Sequence, residues 1–210
     1  MDDVGWYGTH VLPHIVDKAC GIQGNRRNRE RVCAGLAGDV VEIGFGSGNN
    51  VGLYPGAVRR VVAVEPSDVA WKLARSRVAT SSVPIERVGL DAQRLPLPDD
   101  TFDAAVSTWT LCTIPDAVAA LRELHRVLKP GGRLHFIEHG LAPDPAVQRW
   151  QHRLNGIQRR LAGGCNLNRP IADLLSCGGF TIARMEEFYD KGAPKFLAAE
   201  SLGTAIADQH

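Results

Sequence analysis

The stretch Asp39-Val40-Val41-Glu42-Ile43-Gly44-Phe45-Gly46-Ser47-Gly48 decides how this chain folds. Val40, Val41 and Ile43 form a short apolar run, the mark of a buried strand. Three glycines follow at a spacing of two. A strand that ends in a glycine turn lets backbone approach a ligand closely, because no Cβ intervenes. Glu42 stands two residues before the first glycine. The combination points to a pocket for a cationic, amino-acid-bearing nucleotide rather than for a pyrophosphate. The dinucleotide fingerprint Gly-x-Gly-x-x-Gly would need a glycine where Asn49 stands. A phosphate-cradling Gly-Lys-Ser/Thr loop is absent.

Outward from this turn, Arg59 to Asp68 supply a second anchor. Val61 to Val64 read as another buried strand, with Glu65 at its carboxyl end. Pro66 stops the strand, and Ser67 or Asp68 caps the next helix. An acid at the end of a second strand, about 20 residues past the glycine turn, is where a ribose diol is gripped. A third anchor, Gly89-Leu90-Asp91-Ala92, follows an extended run over Pro84 to Val88. The Asp91 carboxylate can accept from an adenine amine while a neighbouring amide donates to the ring.

Four motifs in order carry a family resemblance over about 39–188. They are Glu42 to Gly48, Glu65, Asp91-Ala92, and Phe102-Asp103-Ala104-Ala105-Val106, followed by Leu121 to Gly132 with its Lys129-Pro130-Gly131-Gly132 close. The chain resembles the class I S-adenosylmethionine-dependent methyltransferases. The resemblance implies a Rossmann-like α/β fold: a seven-stranded, mostly parallel sheet ordered 3-2-1-4-5-7-6 with helices on both faces. It implies S-adenosylmethionine as cofactor, held by Glu42, Gly44, Gly46, Gly48, Glu65, Pro66, Asp91, Ala92, Thr108 and the lid residue Tyr7. A narrower likeness rests on Ser107 to Cys112, Glu138-His139 and Gly164 to Arg169. These runs are similar to the methyltransferase-like seven group of thiol methyltransferases. The head, Tyr7 to Pro13, is similar to bacterial relatives associated with phospholipid or quinone methylation. The narrower likeness implies an acceptor pocket of Trp109, Cys112, His139, Trp150, Cys165 and Arg169. The animal members begin with a long apolar segment, which is not present here.

Composition bounds the alternatives. A chain of 210 residues suits one structural domain. We divide it into a helical lid, 1–38, and a cofactor-binding domain, 39–210. A net charge of +1 argues against a polyanion-binding protein. No apolar run approaches the ~18 residues of a membrane span, and the acidic head lacks a secretion signal. The five cysteines form no Cys-x-x-Cys, which fits reduced thiols and a cytoplasmic setting. His10 and His14 lie one helical turn apart but have no third ligand, so no metal is expected.

Along the chain, Arg26 to Arg31 read as a solvated charged run in the lid. Val69 to Val78 is a predicted helix. Pro115 to Leu128 is another, with Pro115 in its first turn and a core stripe of Val118, Leu121, Leu124 and Leu128. Pro145 to Leu161 carries Val147, Trp150, Leu154, Ile157 and Leu161 on one side and Arg149, Arg153, Arg159 and Arg160 on the other. We read it as packed on its own sheet with its arginines in water, while peripheral membrane contact stays open. Strands are expected near 181–188 and 195–200. Every anchor falls at the carboxyl end of a strand, where ligands bind in such sheets.

The chemistry expected is in-line methyl transfer to a small apolar acceptor, a thiol first. A quinone, phenol or phospholipid amine is the alternative, and a non-catalytic nucleotide-binding module lies outside both. Orientation alone supplies roughly 7–11 kcal/mol of barrier reduction in such displacements. Tyr7 and Trp109 are the rings that can face a cationic sulfur. A thiol already offers a few per cent thiolate near neutrality. His139 and His10 are the candidate bases, and Cys112 and Cys165 are expected to line the pocket. Nucleic-acid acceptors are disfavoured: no Asp/Asn-Pro-Pro-aromatic run follows strand four, and no Pro-Cys pair exists.

Overall fold

Strands and helices alternate along the chain, and the alternation builds one sheet. The computed structural model describes residues 23–88 and 91–208. Helix α1 (Gln23–Cys33) precedes β1 (Gly38–Ile43), a one-turn helix (Val51–Leu53) and β2 (Val58–Val64). Next come α2 (Asp68–Ala79), β3 (Ile85–Arg87), β4 (Phe102–Thr108), α3 (Ala117–Val127) and β5 (Leu128–His139). The chain continues with α4 (Pro145–Leu161), α5 (Ile171–Cys177), β6 (Phe180–Tyr189), α6 (Lys195–Ala198) and β7 (Ala199–Ala207).

The sheet order is β3-β2-β1-β4-β5-β7-β6, as expected. β1 lies parallel between β2 and β4, and β7 runs antiparallel to both β5 and β6. Alternate residues of the central strands feed two cores. Val41, Ile43, Val62 and Val64 pack with Leu121, Leu124 and Leu175 on one face. Val40, Val61 and Ala63 pack with Val32, Cys33, Leu36 and Ala74 on the other. Strands apolar on both faces belong in a parallel sheet covered twice. The sequential order reverses at β1 and β4, and that crevice is where such sheets bind ligands.

Local expectations needed adjustment. Ser67 caps α2, its hydroxyl accepting from Ala70 N. Helix α3 starts at Ala117, because Asp116 takes the cap position and accepts from Ala119 N. Pro115 therefore stands before the cap, not in the first turn. The buried stripe is Ala117, Ala120, Leu121, Leu124 and Val127, while Leu128 begins β5 and Val118 is half-buried. The last strand starts at Ala199, not near 195, because a short helix occupies Lys195–Ala198. Small residues hid this strand. A Cβ on Gly203 would come within 2.1 Å of Arg184 O, where β6 bulges between Ile182 and Arg184.

Helix α4 has the expected bounds and keeps its four arginines exposed, but its covered stripe is rotated from the expected one to Val147, Gln148, Gln151, Leu154, Asn155 and Gln158. Trp150, Ile157 and Leu161 are 55%, 58% and 65% exposed. Gln151 points inward instead; it accepts from Ala142 N and donates to Gly140 O, satisfying the loop after β5. Among the described residues no helix is long and apolar enough to cross a membrane.

Residues 1–22 of the proposed lid, with Tyr7, His10 and His14, lie outside the described residues. The described part of that segment is built into the core through Val32, Cys33 and Leu36. The charged run is not all solvated either, since Asn28 and Arg29 are buried.

Candidate active site

The turn after β1 sits at the reversal point, and its three glycines have three different neighbours. All have positive φ: +63° at Gly44, +58° at Gly46 and +77° at Gly48. A Cβ on Gly44 would stand 2.1 Å from Thr110 Oγ1, so that glycine is demanded by the protein itself. A Cβ on Gly48 would press on Val51, Phe45 and Ala74 at 3.0–3.3 Å. Among the described residues nothing lies nearer to a Cβ at Gly46 than Gly44 O at 3.8 Å. Gly46 is therefore the point of the turn that leaves room for a ligand.

Glu65 closes the cradle from the end of β2. Its Oε2 accepts from Gly46 N at 2.7 Å and its Oε1 from Ser67 N at 2.7 Å. Burial raises its pKa, while Ser67, Gly46 and the nearby Arg87 oppose the rise. Each carboxylate oxygen accepts more than one bond, so both keep acceptor capacity for hydroxyls. Pro66 is exposed beside it. Asp91 is exposed, and its Oδ1 accepts from Gln93 N and Gln93 Nε2, both at 2.9 Å. Ala92 packs against the core, and Gly89 and Leu90 lie outside the described residues.

Glu42 lies inside the turn. It is buried and accepts from Tyr54 Oη at 2.6 Å and Asn50 Nδ2 at 2.9 Å. Burial lifts its pKa to about 7, against the pull of Tyr54, Arg29 and Asn50. Its work is to hold the turn. Thr108 joins the same network: Arg29 donates to Asn50 Oδ1 at 2.8 Å and to Thr108 Oγ1 at 3.1 Å. The Arg29 guanidinium also lies 4.6 Å from the centre of the Trp109 ring. α1 thereby braces the ends of β1 and β4. Sequence reading missed Arg29, because its neighbours Arg26, Arg27 and Arg31 are exposed or half-exposed and nothing local sets it apart.

A second constellation lies beyond β4 and β5. Trp109 has φ +51°, a strained conformation for a bulky residue, and such strain is common at functional sites. Its Nε1 donates to Glu200 Oε1 at 3.0 Å. His139 Nε2 stands 3.5 Å from the same Glu200 oxygen. Cys112 Sγ and Cys165 Sγ lie 3.5 Å apart, and His139 makes a hydrogen bond with Cys165. Cys112 and His139 hold the Cys165 thiol below its ordinary pKa, against burial, while the bond to Cys165, burial and the nearby Glu138 push the Cys112 thiol up. Burial tends to lower the His139 pKa, but Cys165, Glu200 and Glu138 outweigh it and raise it. Burial lifts Glu200 to about 7, and its Oε2 has no hydrogen-bond partner among the described residues. Glu138 is buried below, accepting from Ser107 Oγ, Thr110 N and Cys112 N.

Arg169 lies beside the sulfur pair with its guanidinium engaged by backbone, whereas Trp150 stands apart from it in solvent. Arg169 donates to the carbonyls of Leu111 and Ile114, stitching the loop that carries Cys112. Trp150 is more than half exposed on α4, with Arg153 over its ring. Glu200 had no sequence signal; it is one acid in a tail without a motif. The cluster of Cys112, His139 and Cys165 was also missed as a potential metal-ligand set, because its members come from three distant segments.

Residues 41–136 match a family model described as a methyltransferase domain. The chain carries a class I S-adenosylmethionine-dependent methyltransferase domain. It is 33% identical over 151 residues to thiol S-methyltransferase TMT1B of Rattus norvegicus, covering 70% of this chain and 62% of that protein. It is 34% identical over 120 residues to the demethylmenaquinone methyltransferase of Clavibacter sepedonicus, covering 57% of this chain and 49% of the relative. The chain thus spans between about half and three fifths of these relatives. A solved S-adenosylmethionine-dependent methyltransferase from Methanosarcina mazei superposes with a TM-score of 0.66 at 20% identity. That match covers 82% of this chain and 93% of the other, and it speaks to the fold. The cofactor of this methyltransferase domain is S-adenosylmethionine, and the residues present fit it. The open side of Gly46 admits a close-lying ligand, and Glu65 beside it keeps acceptor capacity for a diol.

Proposed function

We propose that the protein transfers the methyl group of S-adenosylmethionine to a small apolar thiol. The observation that carries this reading is the meeting of Cys112, Cys165, His139 and Glu200 at the ends of β4, β5 and β7. It forms a soft, sulfur-lined wall with a proton acceptor, next to the cofactor crevice. When bound, the cofactor offers an electrophilic methyl on a sulfonium and departs as a neutral thioether, so its sulfur needs no acid. The chain's own residues must hold the acceptor in line and dispose of one proton. His139 takes the thiol proton, and the Glu200 carboxylate stabilises the resulting imidazolium. Trp109, held by Glu200 and Arg29, supplies a fixed aromatic wall. The similarity to a thiol S-methyltransferase supports the same acceptor.

Quinone methylation is the second reading, because a demethylmenaquinone methyltransferase matches at the same level of identity. Mass spectrometry of products from a panel of alkyl and aryl thiols, phenols, demethylated quinones and amines tests both. Methyl thioethers as the dominant products are expected. Methylated quinone with unreacted thiols would overturn the thiol reading and establish the second.

A further inference from the structure

Cys112 and Cys165 are separated by 53 residues, yet their sulfurs are 3.5 Å apart. His139 offers a ring nitrogen to the same point, and the three ligand atoms all lie within 4.8 Å of one another. A tetrahedral zinc ion with Zn–S bonds of about 2.3 Å holds two sulfurs roughly 3.8 Å apart. The observed spacing is close to that edge without any rearrangement of the backbone. Two thiolates and an imidazole are also the donor set preferred by zinc-class ions over hard cations.

The surroundings favour a cation. Glu138 lies behind Cys112 and receives its backbone N–H at 3.4 Å. Glu200 stands 3.5 Å from His139 Nε2, the carboxylate neighbour that ligating histidines commonly have. Its buried Oε2 has no hydrogen-bond partner among the described residues. The opposing charge is Arg169, whose guanidinium is taken up by the carbonyls of Leu111 and Ile114. Cys112 and Cys165 are buried while His139 is partly open, so solvent reaches one side of the triad.

We propose that Cys112, Cys165 and His139 bind one thiophilic divalent cation of the zinc class, leaving a fourth position open to a thiolate. Three protein ligands with one open position is the pattern of a reactive zinc site rather than a structural one. The open position deepens the thiol reading above and rests on it; the cation site does not. Binding an acceptor there replaces an S–H bond by a metal–sulfur bond and releases one proton to solvent. His139 is then a ligand, and the cation takes over the acidification of the thiol.

The test uses the full chain, reduced, stripped of metal and kept anaerobic, with cobalt(II) as the probe. We expect uptake of one equivalent with a near-ultraviolet thiolate-to-cobalt band and the intense visible bands of tetrahedral cobalt. Zinc should bleach both. Cys112→Ser, Cys165→Ser and His139→Ala should each weaken or abolish the bands, whereas Cys177→Ser, on the surface, should keep them. Calorimetry with S-adenosylhomocysteine on the same samples checks that each variant is folded. No band in folded, reduced protein overturns the site, as does a band that survives in the Cys112→Ser/Cys165→Ser double variant. A Cys112–Cys165 disulfide in the purified protein that resists reduction overturns it too. Adding an alkyl thiol to the cobalt form should shift the visible bands; an unmoved spectrum overturns the open position alone. Intact cobalt binding with no thiol methylation overturns the thiol reading and leaves the cation site standing.

Discussion

Glu65 Oε2 accepts a hydrogen bond from Gly46 N at 2.7 Å, across 19 residues of chain. The carboxylate we assign to the cofactor diol therefore also sets the glycine turn beside it. Loss of Glu65 removes an acceptor for a diol and loosens the glycine turn together. Glu65→Ala should weaken S-adenosylhomocysteine binding by about 1.5–3 kcal/mol, roughly 10- to 150-fold. Glu65→Gln keeps one carbonyl oxygen and should fall between. Calorimetry decides: an unchanged dissociation constant in Glu65→Ala removes this residue from the cofactor site.

Gly44 and Gly46 separate packing from ligand contact. Gly44→Ala drives a Cβ into Thr110 at a positive φ, and should cost about 2–4 kcal/mol of stability. Gly46→Ala meets no atom of the described residues closer than 3.8 Å, so its cost should be only the roughly 1–2 kcal/mol of the backbone conformation. Its larger effect should be on cofactor affinity. Urea unfolding and calorimetry on both variants read the two quantities. Equal losses of affinity at equal losses of stability would contradict the assignment of Gly46.

Glu42 should give stability a particular pH dependence. Its carboxyl sits at about 7 in the folded protein against an ordinary 4.5, because burial outweighs Tyr54, Arg29 and Asn50. Between those values the folded chain holds a proton that the unfolded chain has lost, so stability falls as pH rises through the window. The full effect is on the order of 3 kcal/mol. Glu200 titrates in the same sense, so the difference between wild type and Glu42→Gln isolates Glu42. The variant should compare more favourably with wild type at pH 8.5 than at pH 5. Parallel unfolding profiles across that range would refute the assignment.

Arg29 ties α1 to the ends of β1 and β4. Arg29→Ala strands Asn50 Oδ1 and removes a cation from beside Glu42, and should destabilise the fold by about 3 kcal/mol or more. Arg27→Ala, two residues away and exposed, should change stability by less than about 0.5 kcal/mol. Thermal or urea denaturation of the pair tests this contrast, and similar small losses for both would return Arg29 to the solvated run.

The legible parts of this protein are local. The β1 turn, Glu65 and the Ser67 cap lie within 30 residues and are marked by residue types that are informative in their immediate sequence context, even where the structure secures them from farther away, as Glu65 does Gly46. Errors arose where a decision belonged to distant partners. Helix α4 was read from its apolar stripe, but the loop after β5 needed Gln151, and that need turned Trp150 outward. Nothing near Glu42 in the chain announces that Asn50 and Tyr54, 8 and 12 residues on, fold back to donate to its two oxygens.

By itself the sequence determined the strand-and-helix order and the edge at which a cofactor is held. Apolar alternation and glycine turns act over a few residues, so their outcome is written in the chain. Only the tertiary structure decided that Cys112, His139, Cys165 and Glu200 meet, and that Arg29 is a buried brace. Those contacts, with the Trp109–Glu200 bond, span 21 to 91 residues and exist because β7 returns antiparallel beside β5 and α1 packs over β4. Which strand ends become neighbours is a property of the closed sheet, and no local pattern carries it.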